Sequence, residues 1–138
     1  MRLHRDAKSE LVASVPLFSR CSKHDLMAIA EIADEVDIPE GKVLAQEGEL
    51  GRDFYILIDG TVDVTRGGDL VVTRGPGDYI GEIALLESSP RTATMTTTSS
   101  VRALVVSGRD FWSLLDAAPG LQRKLLETLA ERLAPTEP

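Results

Sequence analysis

Residues 53–73, DFYILIDGTVDVTRGGDLVVT, hold the pattern from which the fold is read. Runs rich in Val, Ile, Thr and Leu stand on either side of Gly60 and of the pair Gly67-Gly68. Two adjacent glycines between alternating segments predict a two-residue hairpin, because its central positions need positive φ. Thr61, Asp63 and Thr65 fall opposite Val62 and Val64. That period of two is what an antiparallel strand with one buried face imposes.

The same texture extends outward. Glycines at 41, 48, 51, 60, 67, 68, 75, 77 and 81 punctuate short β-rich runs. VDIPEG, KVLAQEG and the long stretch TATMTTTSSVRALVV join DFYILIDG and TVDVTRGGDLVVT as successive strands. Many short strands of this kind close into a barrel, sandwich or jelly roll. Helical periodicity flanks them. SELVASVPLF predicts a short helix interrupted at Pro16 that packs Leu11, Val15, Leu17 and Phe18 inward. In SKHDLMAIAEIADEV, Leu26, Ile29, Ala30 and Ala33 share a face behind a capping-box start at Ser22 and Asp25. After the strands, Ser107 offers a cap with Asp110 at the third helical position. Phe111, Leu114, Leu115 and Ala118 form one stripe, and Leu121, Leu125, Leu126, Leu129 and Leu133 form another beyond Pro119-Gly120. The expected fold is mainly β: an antiparallel β-roll or jelly roll with an N-terminal helix pair and C-terminal helices.

Composition narrows the functions. At 138 residues the chain is one domain able to bury its own core. Its formal charge of −7 argues against nucleic acid or an anionic membrane as partner. A single cysteine, Cys21, allows no internal disulfide, and His4 and His24 lack ligand partners, so no metal site is expected. No run has the length of a signal h-region or a membrane span, so a cytoplasmic protein is expected, with loose first residues and a loose tail, APTEP.

Arg91 is the chemical anomaly. It is the only Lys or Arg between Arg74 and Arg102, and it lies in GEIALLESSPRTATM, Gly81 to Met95, a run otherwise apolar, acidic or hydroxylic. IALLE can make a helical turn after Gly81, and the unpaired N–H groups and dipole of such a turn favour an anion. A loop through SSP can bring Arg91 to the same point for a charge-assisted contact with phosphate. One guanidinium matches one negative charge; a triphosphate would need a GxxxxGK[ST] loop, which is absent. Glu82 would repel that phosphate unless it faced another part of the ligand, most naturally a sugar hydroxyl. Arginine for phosphate and carboxylate for ribose describe a nucleotide. An internal ion pair of Arg91 with Glu82 or Glu87 is the simpler alternative.

GEIALLESSPRTAT resembles the phosphate-binding cassette of the cyclic nucleotide-binding domain family. DFYILIDGTVDV resembles that family's strand pair, and GPGDYIGE its approach to the cassette. The resemblance covers residues 10–133, which implies one cyclic nucleotide-binding domain between a flexible 1–9 and a flexible 134–138. It implies backbone contacts from Gly81, Ile83 and Ala84, and a bond from Glu82 to the ribose 2′-hydroxyl. Arg91 would pair with the cyclic phosphate, next to the Thr92 hydroxyl and the Ala93 amide. Val71, Val72, Tyr79 and Ile80 would line the base pocket, which Arg132 could reach from the last helix. The lid helix that the family adds after this point has little chain left here to form it.

The implied protein is no enzyme and needs no cofactor. It is a sensor of cAMP, with cGMP as the alternative, that signals through an effector protein, a homodimer or a further region. A protein-interaction module that keeps this fold without a working pocket is the second reading. A cupin-like metalloenzyme or a phosphodiesterase lacks its histidine ligands and its paired catalytic base.

Overall fold

The computed structural model describes residues 3–51, 53–81 and 90–133, with only the backbone of 132 and 133. Its elements run α1 (Arg5–Ala13), a 3₁₀ turn (Pro16–Phe18), α2 (Lys23–Ile32), β1 (Asp34–Ile38), β2 (Val43–Ala45), β3 (Phe54–Asp59) and β4 (Val62–Arg66). They continue with β5 (Asp69–Arg74), β6 (Tyr79–Ile80), β7 (Thr94–Thr97), β8 (Val101–Val106), α3 (Gly108–Asp116) and α4 (Pro119–Leu133). Two antiparallel four-stranded sheets, ordered β1-β8-β3-β6 and β2-β7-β4-β5, make the β-roll.

The near-continuous apolar run of β3 follows from burial on both faces. Phe54 and Ile56 pack with Leu104 and Val106 of β8 under the helices, where Val12, Phe18, Ile29, Phe111 and Leu121 meet them. Leu57 turns the other way, into a second core between the sheets with Val62, Ile80, Val101 and Ala103. Phe18 is the joint of the first core, its ring edge-on to Phe54 at 6.1 Å and tilted against Phe111 at 6.0 Å. β4 alternates as the sequence predicts, with Val62 and Val64 buried and Asp63 and Thr65 half-buried. Gly67 and Gly68 both have positive φ and make the β4–β5 hairpin.

Three local differences from the sequence reading have physical causes. TATMTTTSSVRALVV is two strands in different sheets: β7 pairs with β2 and β4, whereas β8 pairs with β1 and β3. The chain changes sheet at 98–100, beside the β3–β4 crossing at Gly60. A side chain at Gly60 would meet the Ser100 carbonyl at 2.3 Å. Thr61 and Thr98 lock the corner, with their hydroxyls 2.6 Å apart and the Thr98 N–H bonded to the Thr61 carbonyl at 2.9 Å. Second, α1 begins at Arg5, inside the stretch 1–9 read as loose. Ser9 is buried there, and the Leu3 N–H donates to Glu35 at 2.7 Å. Third, Leu126 lies off the buried stripe of α4 and is 66% exposed, whereas Leu121 and Leu125 are buried.

Helix ends follow the expected chemistry. Ser22 and Asp25 form both halves of a capping box at α2, and Ser107 accepts from the Asp110 N–H at α3. Asp25 also accepts from Lys124 at 2.5 Å, and Arg20 pairs with Glu131, so two ion pairs tie α4 to the N-terminal helices. Between them, burial and the Asp25 charge push the half-buried Cys21 thiol up to about 11, so it stays protonated at neutral pH. No helix among the described residues is long and apolar enough to cross a membrane.

Candidate functional site

Arg91 follows an isolated bridge between Leu50 and Pro90. Its backbone is held against the 48–50 loop: its N–H donates to Glu49 at 2.9 Å, and its carbonyl accepts from Gly48 at 2.8 Å. The half-buried side chain then runs between Gly51 and Gly81. Nη2 donates to the Asp53 carbonyl at 2.7 Å. Nε is buried and has no hydrogen-bond partner among the described residues. No carboxylate of the described residues pairs with the guanidinium; the alternative partners Glu82 and Glu87 lie outside the described residues. Burial pulls the Arg91 pKa below its ordinary value, against the raising effect of Tyr55 and Asp53. A half-buried guanidinium with an unused donor has the chemistry to take an anion.

Gly81 has φ +83° and borders a cavity of about 310 Å³ lined by Val64, Arg74, Asp78, Tyr79, Ile80 and Met95. Buried Ile80 and half-buried Tyr79 both line this cavity. Val71 and Val72 do not line it: Val71 is 52% exposed on the edge strand β5 and Val72 is half-buried. Ala93 is buried beside the site. Thr92 is exposed, and its carbonyl accepts from Arg66 Nε at 3.0 Å. Glu82, Ile83 and Ala84 fall outside the described residues. Of Arg132 the structure gives a place at the end of α4.

Sequence reading missed Gly51, Asp53, Tyr55, Val64, Arg74 and Met95. For Arg74 a signal existed. Register pairs Arg74 with Val62 and Val72 with Val64, so Arg74 sits on the inward face of β5 by strand alternation from Val72. Burial and the Asp53 charge raise the Tyr55 hydroxyl above its ordinary value, against the lowering effect of Arg91. Asp78 has a structural task, since its carboxylate accepts from the Gly75 N–H at 2.8 Å and closes the turn that delivers β6. Among the described residues no cluster of three or more His, Cys, Asp or Glu side chains is placed to hold a metal ion.

The model of the cyclic nucleotide-binding domain matches residues 35–118, from β1 through α3 and across this site. The chain belongs to the cyclic nucleotide-binding domain family. It is 32% identical over 123 residues to a cyclic nucleotide-gated potassium channel of Rhizobium etli, covering 89% of this chain and 34% of the channel. To a CRP-like cAMP-activated global transcriptional regulator of Mycobacterium tuberculosis it is 31% identical over 132 residues, 92% of this chain and 59% of the regulator. The chain thus spans between a third and three fifths of these relatives' length. Among solved structures, the N-terminal domain of a transcriptional regulator from Streptomyces coelicolor superposes with TM-score 0.83 at 28% identity, covering 92% of this chain and 94% of that one. The cAMP-bound PfPKA-R structure superposes with TM-score 0.68 at 25% identity, covering 96% and 48%. The chain is a cyclic nucleotide-binding regulatory domain, a class of module that binds and does no chemistry.

Proposed function

We propose that this domain senses a cyclic purine nucleotide, cAMP before cGMP, and that Arg91 holds the cyclic phosphate. The observation that carries the reading is the desolvated Arg91 guanidinium, unpaired by any described carboxylate and with Nε unused, beside the cavity at Gly81. Gly81, Ile83 and Ala84 supply backbone contacts, Glu82 takes the ribose 2′-hydroxyl, and Thr92 and Ala93 complete the phosphate end. Tyr79 and Ile80 pack the base. Arg74 brings donors to the same cavity, and N7 is an acceptor common to both purines. Preference for cAMP rests on relatives whose names carry that ligand.

The unit that binds runs from α1 through α4, acting in the cytoplasm. Occupancy reaches the C-terminal helices because the cassette interacts differently with phosphate than with water, and only such differential affinity shifts an equilibrium. An effector or a second copy then reads α3 and α4, where Trp112 and Leu126 are exposed. Isothermal titration with cAMP, cGMP and 5′-AMP tests the proposal. Saturable binding of a cyclic nucleotide that exceeds that of the open phosphate is expected. No heat and no thermal shift with either cyclic nucleotide would overturn it.

A further inference from the structure

Gly51 has no conformational reason to be glycine. Gly48 and Gly81 both have positive φ, but Gly51 does not, so its φ is open to other residues. What forbids a side chain is Arg91. A methyl group at Gly51 would lie 2.7 Å from Arg91 Nε and 3.2 Å from Nη2. A methyl at Gly81 would lie 2.5 Å from Nη1 and 3.0 Å from the Asp53 carbonyl. The guanidinium therefore lies in a slot against two bare glycines, Gly51 and Gly81, with the Asp53 carbonyl 2.7 Å from Nη2.

We propose that Gly51 is a positioning residue for Arg91: its missing side chain leaves the slot in which the guanidinium waits, aligned, for the phosphate. The inference rests on the proposed role of Arg91 as phosphate partner. A free arginine would lose much rotamer freedom on binding, and the slot removes most of that cost in advance. Because the clashing atoms belong to the far end of a long side chain, the arginine yields before the backbone does. A substitution at Gly51 thus unseats the cation while the roll persists.

The test is a double-mutant cycle with Gly51→Ala and Gly51→Val, each in the wild-type and the Arg91→Ala background, titrated with cAMP and cGMP. Gly51→Val should weaken binding about tenfold or more and Gly51→Ala severalfold, with neither adding a loss once Arg91 is alanine. The thermal midpoint without ligand gives a second readout. Gly51→Ala restricts the unfolded chain, and its stabilising effect should be larger in the Arg91→Ala background, where nothing is displaced. Wild-type affinity in Gly51→Val would overturn the inference, as would equal losses in both backgrounds, which would assign Gly51 to the fold. Should Gly51→Val not fold, the Gly51→Ala cycle decides. Failure of the wild type to bind either nucleotide removes the proposed function instead, and the thermal coupling still reports the slot.

Discussion

Replacing Arg91 by alanine should separate binding from folding. In the ligand-free domain the substitution removes one charged-donor bond to the Asp53 carbonyl, which contributes about 1.5–3 kcal/mol. It also removes a buried Nε that has no described partner, an unsatisfied group costing about 1–3 kcal/mol. These terms nearly cancel, so the unliganded midpoint should move by only a few degrees. Binding has no such compensation. Truncating the partner of a buried charge costs about 2–5 kcal/mol, or about 30-fold to 5,000-fold in Kd. At a concentration 100 times the wild-type Kd, the wild type gains about 2.7 kcal/mol from ligand, whereas a protein binding about 30-fold more weakly gains about 0.9 kcal/mol. For a chain of 138 residues, at about 3–5 °C per kcal/mol, the shifts are about 8–14 °C and about 3–5 °C. Differential scanning calorimetry with cAMP reads both. Equal ligand-induced shifts in the two proteins would refute the phosphate role. A fall of about ten degrees in the unliganded variant would make Arg91 a structural residue.

Three other outcomes are expected. Phe18→Ala removes the ring that joins β3 to α3 and should cost about 3–5 kcal/mol in urea unfolding, with binding retained at low denaturant. Asp25 titrates below its ordinary 3.8: burial opposes this, but the bonds from Lys124 and Ser22 outweigh it. The unfolded chain therefore takes up that proton first as the pH falls, so the stability Asp25 contributes is present above about pH 4 and is lost below it. The thermal midpoint of Asp25→Asn should accordingly fall less steeply than that of the wild type in this acid range, and parallel curves would refute the pairing. Glu82→Gln should weaken cAMP binding about tenfold through loss of a charged acceptor, while leaving 2′-deoxy-cAMP unchanged. An equal loss with both ligands would remove Glu82 from the ribose.

What was legible followed the strength of the local signal. The capping box at Ser22 and Asp25, the Gly67-Gly68 hairpin and the alternation of β4 are written in neighbouring residues, and they appear where the pattern places them. The break between β7 and β8 was not legible, because a Thr and Ser run is equally at home in a continuous strand and at a corner. What decides is the approach of Gly60, some 40 residues earlier in the chain. Arg91 stood out as an isolated cation, but its surroundings did not. Gly51 and Asp53 act through an absent side chain and a backbone carbonyl, and neither leaves a side-chain signature. The resemblance offers Val71 for the base pocket, but edge position leaves it exposed outside the cavity, and register brings Arg74 to the inward face instead.

The β3–β4 and β7–β8 crossings meet at one corner of the roll. Gly60 lies against the Ser100 carbonyl, and Thr61 is bonded to Thr98 and Ser99, so the two sheets are tied together here. The passage from β6 to β7 leaves from Gly81, beside Arg91. Sliding of one sheet across the other at this corner would break these bonds and drive Gly60 into the Ser100 carbonyl, so residues with no ligand chemistry of their own fix how the two sheets sit together.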